Sequence, residues 1–258
     1  MNEPIELIYT NGDSWTAGIG MDTAELFNYS PSKSWDLIKK FRWTEKLAEK
    51  LSCNYINEAL GAGSNKRMVR KTCDFILRRP PESYKNLLVV LGWTTIDRDE
   101  VYIEHDDFHH WCRFNANQSF SEQLTYGKFD IEDKQFVKNI DKLQKKQIEL
   151  TYNLSANLAI YYQQLFLMSQ MLESYGIRYI FFNSITIMEN PDTIPAFERY
   201  RKILESPKFY KMKENYAWSE HCVINNLPMS ECKHPLLEAH ANWAELMYNH
   251  TNKLYLTP

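Results

Sequence analysis

The chain has 258 residues, 44% hydrophobic and 14% aromatic, with a net charge of -3. That is enough apolar material for one large domain or two small ones, and mixed charge without a basic stripe argues against nucleic acid as the main partner. No apolar run approaches the ~20 residues of a membrane helix, and the opening MNEPIELIYT has neither a basic start nor a long apolar segment, so no membrane partner and a cytoplasmic location are expected.

Ile5 to Thr10 is short, apolar and rich in strand formers, which predicts a buried strand. It runs directly into NGDSW, where Asp13 and Ser14 read equally well as a helix cap or as a reactive loop past a parallel strand. In SWDLIKKFRWTEKLAEKL, Leu37, Ile38, Phe41, Leu47 and Leu51 recur at helical spacing. A second strand is expected over Asn54 to Leu60, and a helix over Asn65 to Leu77 that the prolines of RRPPES stop. The third strand is Leu87 to Leu91. Strand, helix, strand, helix, strand implies parallel strands joined by right-handed crossovers.

Residues 101 to 139 are aromatic, polar and without clear period, which predicts an irregular insertion near the top of the sheet. His105, His109 and His110 fall there, but no second ligand group has matching spacing, so no metal is expected. From Leu143 through Leu150, Leu154, Leu158, Tyr161, Leu165 and Met168 to Leu172, apolar residues mark one face of a long helix with Gly176 as its stop. A fourth strand, Ile177 to Phe182, follows. Repeats and Gly/Ser linkers are missing, so residues 1–258 read as a single domain. Cys53, Cys73, Cys112, Cys222 and Cys232 are odd in number and lack CxxC spacing, which suits reduced thiols.

The chemistry-bearing residues lie at opposite ends of the chain. A serine nucleophile needs a histidine within hydrogen-bond reach, itself oriented by a carboxylate. SECKHPLLEAHANWAELM offers His234 with Glu231 three residues before it, so one loop can supply both. Past the second strand, Gly61 and Gly63 in NEALGAGSNKRM let backbone N–H groups approach an oxyanion. Past the third, LGWTT places Gly92, Trp93, Thr94 and Thr95. These segments can converge on one crevice at the carboxyl ends of the strands.

In this order the chain resembles the SGNH/GDSL hydrolase family, over nearly its whole length. NGDSW is similar to the family's nucleophile block, ALGAGSN to its glycine block, LGWTT to its Gly-x-Asn block and ECKHP to its Asp-x-x-His block. The resemblance implies a three-layer α/β/α, flavodoxin-like fold with a parallel sheet of about five strands, and hydrolysis of acyl esters on lipids or carbohydrates without a cofactor. It implies Ser14 as nucleophile, His234 as base and Glu231 as its orienter, with Ser14, Gly63 (in preference to Gly61) and Thr94 around the oxyanion. Two residues depart from the pattern: Thr94 stands where the family has Asn, and Glu231 where it has Asp. Trp15 and Trp93 flank the expected site as sugar-stacking faces or as core residues. A weak or inactive glycan-binding protein on the same fold is the alternative. A flavodoxin-type nucleotide module is disfavoured, because it would not need a Ser/His pair at opposite ends of the chain.

Overall fold

In the computed structural model, residues 3–21, 38–105, 108–114, 119–127, 131–151, 153–187 and 195–257 are described. The chain opens with β1 (Leu7–Asn11), the single turn α1 (Ser14–Ala17), α2 (Trp43–Leu51), β2 (Asn54–Asn57) and α3 (Asn65–Leu77). After a 3-10 turn at Pro81–Asn86 come β3 (Leu87–Trp93), β4 (Asp99–His105), β5 (Phe108–Phe114) and α4 (Phe120–Gly127). The remainder is α5 (Lys134–Thr151), α6 (Leu154–Ser174), β6 (Arg178–Asn183), α7 (Pro195–Leu204), α8 (Trp218–Ile224) and α9 (Leu237–Thr251).

Four strands form a parallel sheet in the order β2-β1-β3-β6. Its register aligns Leu7 with both Asn54 and Leu87, and Leu88 with Arg178. β3 is buried at all seven positions, as a central parallel strand covered on both faces must be. Its side chains alternate between two cores. Leu87, Val89, Leu91 and Trp93 join Leu158, Leu165 and Met168 of α6 and Met68 of α3. Leu88 and Val90 join Trp43 and Leu47 of α2, Trp218 of α8 and Trp243 and Met247 of α9. The result is a three-layer α/β/α fold.

Three details differ from the sequence expectations. The parallel sheet has four strands among the described residues, not five. Beside β6, only isolated parallel bridges pair Phe181 with Phe209 and Asn183 with Ala217. Lys211 and Asn215 there take left-handed φ values of 51° and 52°, which break an extended run. The long helix is two helices: Asn153 accepts from Ala156 N at 2.9 Å and so caps a new start. Leu143, Leu150 and Leu154 are exposed, and only Leu158 onward faces the sheet. α6 ends at Ser174 with Tyr175 as its C-cap, and Gly176 follows as expected.

The segment expected to be irregular is largely regular. β4 and β5 form an antiparallel hairpin, and α4 and α5 pack against it around Ile103, Cys112, Phe114, Phe120 and Leu124. Alternation of aromatic and polar residues hides a half-buried hairpin whose apolar face meets a small core of its own. The hairpin backbone contains His105, His109 and His110, but the side chains of His105 and His109 lie outside the described parts, as does Leu37 of the first expected helix.

Candidate active site

Ser14 is set in place by the end of β1. Asn11 accepts from Gly12 N at 2.9 Å, and Asp13 turns extended and accepts from Trp15 N at 3.1 Å, capping α1. A side chain at Gly12 would meet Thr16 Oγ1 at 2.6 Å and the Gly92 carbonyl oxygen at 2.9 Å, so this approach of β1 to β3 needs glycine. The capping reading of Asp-Ser is realised at Asp13, and Ser14 opens the turn.

His234 comes from a tight loop before α9. Met229 and Pro235 form an antiparallel bridge, Ser230 N donates to His234 O at 2.8 Å, and His234 N donates to Ser230 Oγ at 3.0 Å. Lys233 closes the turn at φ 62°. This loop sets His234 Nε2 2.8 Å from Ser14 Oγ, although 220 positions separate the two residues. Gly20, at φ 89°, backs the imidazole: a Cβ there would lie 2.4 Å from His234 Cβ.

A second cluster sits beside Ser14. Asp13, fully buried, accepts a hydrogen bond from Thr94 Oγ1 at 2.7 Å on its second carboxylate oxygen. Arg98 Nη1 donates to Thr94 Oγ1 at 2.9 Å and lies 3.4 Å from the same Asp13 oxygen. Asn65, opening α3, bonds both backbone polar groups of Thr94 at 2.9 Å. The loops after β1 and β3 and the start of α3 are thus tied into one unit. A cavity of about 270 Å³ shares Asn65 and Arg98 with this cluster and is also lined by Phe114, Gln147, Asn157 and Gln164.

Of the expected site residues, Ser14 and His234 are brought together, and the others stand differently. Glu231 is exposed in the turn, and the side chain at His234 Nδ1 is Cys232, whose Sγ is 3.1 Å away. Expected as an oxyanion donor, Gly63 instead spends its N–H on Leu60 O at 2.8 Å. Thr94 spends its hydroxyl proton on Asp13, because a buried carboxylate is the stronger acceptor. Trp93 is no sugar platform: it is fully buried, with the rings of Tyr161 and Phe181 within 5.6 Å. Trp15 is also buried, edge-on to Trp218 at 5.4 Å, with its ring 6.5 Å from that of His234.

Sequence reasoning missed Cys232, Asn65, Arg98 and Arg113. Arg113, on β5, donates to the carbonyl of Gly61 and so ties the hairpin to the glycine loop. Burial holds its pKa below the usual arginine value. Cys232 lay between two residues already singled out, whereas nothing in the sequence marked Arg113. Among the described residues, no group of three or more His, Cys, Asp and Glu is placed to hold a metal ion, and no helix is long and apolar enough to cross a membrane.

Several solved structures are similar to this chain. One is a psychrotrophic esterase, EstA, from Pseudoalteromonas sp., with 12% identity, 96% of this chain and 97% of that chain covered, and a TM-score of 0.43. Another is a member of the lipolytic protein G-D-S-L family from Veillonella parvula DSM 2008, with 13% identity, 98% and 100% coverage, and a TM-score of 0.42. A third is an acetyl xylan esterase, Est2A, from the rumen bacterium Butyrivibrio proteoclasticus, with 10% identity, 97% and 64% coverage, and a TM-score of 0.42. No curated protein matches the sequence. A family model does match, over residues 32–254, a span that contains His234 and begins after the Ser14 loop. The chain belongs to that family, described as a family of unknown function (DUF6071).

Proposed function

We propose that this protein is a serine hydrolase that cleaves an acyl ester, with Ser14 as nucleophile and His234 as base. The observation that carries the reading is the 2.8 Å contact between Ser14 Oγ and His234 Nε2. Neutral His234 takes the hydroxyl proton at Nε2 as Oγ bonds to the ester carbon. Collapse of the tetrahedral intermediate breaks the carbon–oxygen bond to the alcohol, which leaves with the proton from Nε2. Water then attacks the acyl-enzyme with the same base, the acid departs, and Ser14 recovers its hydrogen. Ser14 N–H, first in its turn and so without an intrahelical acceptor, is the donor for the oxyanion. The amides of Gln147, Asn157 and Gln164 around the adjacent cavity suit a polar, sugar-like portion of the substrate.

The commitment of Gly63 N–H and the Thr94 hydroxyl elsewhere favours a second reading, a glycan-binding protein with little catalysis. Labelling with a fluorophosphonate probe separates the two. The hydrolase labels at Ser14, and Ser14→Ala abolishes labelling with a melting temperature nearly unchanged, since a loop hydroxyl adds little to the core. A wild-type protein that stays unlabelled yet binds acetylated sugars would establish the second reading instead.

A further inference from the structure

A general base that accepts a proton at Nε2 must carry its own hydrogen on Nδ1, and the group on Nδ1 decides how well the imidazolium is held. Here that group includes a sulfur. Cys232 Sγ lies 3.1 Å from His234 Nδ1 and 3.1 Å from Ser230 Oγ. Ser230 Oγ in turn accepts from His234 N at 3.0 Å, so backbone, hydroxyl, thiol and imidazole close one ring within a five-residue turn. The chain Ser14–His234–Cys232 is therefore continuous, with Glu231 exposed on the same turn.

The other four thiols are buried or half-buried. Burial pushes Cys53 and Cys112 up to about 11 and Cys222 to about 12, and raises Cys73 as well. Cys232 is exposed. Its sulfur lies between His234 Nδ1 and Ser230 Oγ.

We propose that Cys232 is the positioning residue of this site, its sulfur accepting from His234 Nδ1–H and fixing the tautomer that leaves Nε2 open to Ser14. The inference rests on the Ser14–His234 reading. Sulfur is a weak acceptor, and a carboxylate at this position would hold the imidazolium more strongly. Glu231 and Lys233 share its turn, and His240 on α9 feels the charges of His234, Arg42 and Lys46. His240 is held neutral, its pKa lowered to about 3 by burial. The paired variants differ from the wild type at residue 232 alone, so a change in the His234 titration between them reports that residue.

The test pairs Cys232→Ala with Cys232→Asp, in ester turnover and in the NMR titration of the His234 ring. Cys232→Ala should lower kcat about tenfold with KM within about twofold, because the lost group holds the imidazolium that forms only during attack. Cys232→Asp should restore or exceed wild-type kcat and raise the His234 midpoint by about one pH unit, since a carboxylate within about 4–6 Å favours the cation. Equal kcat in wild type and Cys232→Ala, with an unmoved midpoint in Cys232→Asp, overturns the proposal. The titration reads the thiol–imidazole contact even in a protein without turnover. A shifted midpoint with no probe labelling of the wild type would therefore sink the hydrolase reading while leaving the contact in place.

Discussion

Lowering the pH from about 7 to about 5 should cost this protein about 2 kcal/mol of stability through His240 alone. The ring is completely buried, with Nδ1 accepting from Trp43 N at 3.3 Å and the Trp218 ring edge-on at 4.9 Å. Burial first, then the positive charges of Arg42 and His234, lower its pKa from 6.5 to about 3. A histidine whose folded pKa is depressed contributes stability above its unfolded pKa, and loses it as pH falls toward the folded value. Over that window the unfolded chain takes up nearly one proton that the folded chain refuses, at about 1.4 kcal/mol per pH unit. From about pH 7 to about pH 5 the unfolded-state uptake integrates to about 1.4 such units, and any folded pKa below about 4 gives the same result. The assay is urea unfolding at both pH values for wild type and His240→Gln, whose amide oxygen can still accept from Trp43 N. Subtracting the two pH dependences removes the carboxylates and the other histidines. A difference below about 0.5 kcal/mol would mean that His240 protonates inside the fold, and the burial argument would fail.

Gly20→Ala should leave the protein folded but reduce probe labelling at Ser14 about tenfold or more, because the added Cβ would sit 2.4 Å from His234 Cβ and displace the base. Labelling at the wild-type rate would mean that the His234 loop shifts freely without losing its 2.8 Å contact. Thr94→Val should lower stability by about 1–3 kcal/mol through the buried Asp13 oxygen that it strips of a donor, with turnover changed by less than about threefold. A loss of about 10²–10³ in turnover with stability intact would return Thr94 to the oxyanion.

Periodic and punctuated stretches were the legible ones. α3 runs over the expected Asn65–Leu77, because Ser64 caps it and two prolines follow. The four parallel strands fell where short apolar runs met turn residues. The break at Asn153 was not legible, since Leu150 and Leu154 keep helical spacing across it while both face solvent. At the site, Ser14 and His234 stood out because their chemistry demands each other. The fate of nearby donors was hidden, because Gly63 N–H and the Thr94 hydroxyl are decided by acceptors brought in from other loops. Trp93 shows the same limit: a tryptophan at a strand end looks alike whether it faces a ligand or Tyr161.

The 220-residue separation of Ser14 and His234 has a consequence for synthesis. At roughly 5–20 residues per second, His234 leaves the ribosome about 10–45 s after Ser14. Through that interval the nascent chain carries Ser14 without the imidazole that it meets in the fold. α9 follows His234 directly and carries Trp243 and Met247 into the core against α2, so the element that completes this layer and the proposed base arrive together. A chain released before that point would therefore be unfinished as a fold and, on the proposed chemistry, silent as well.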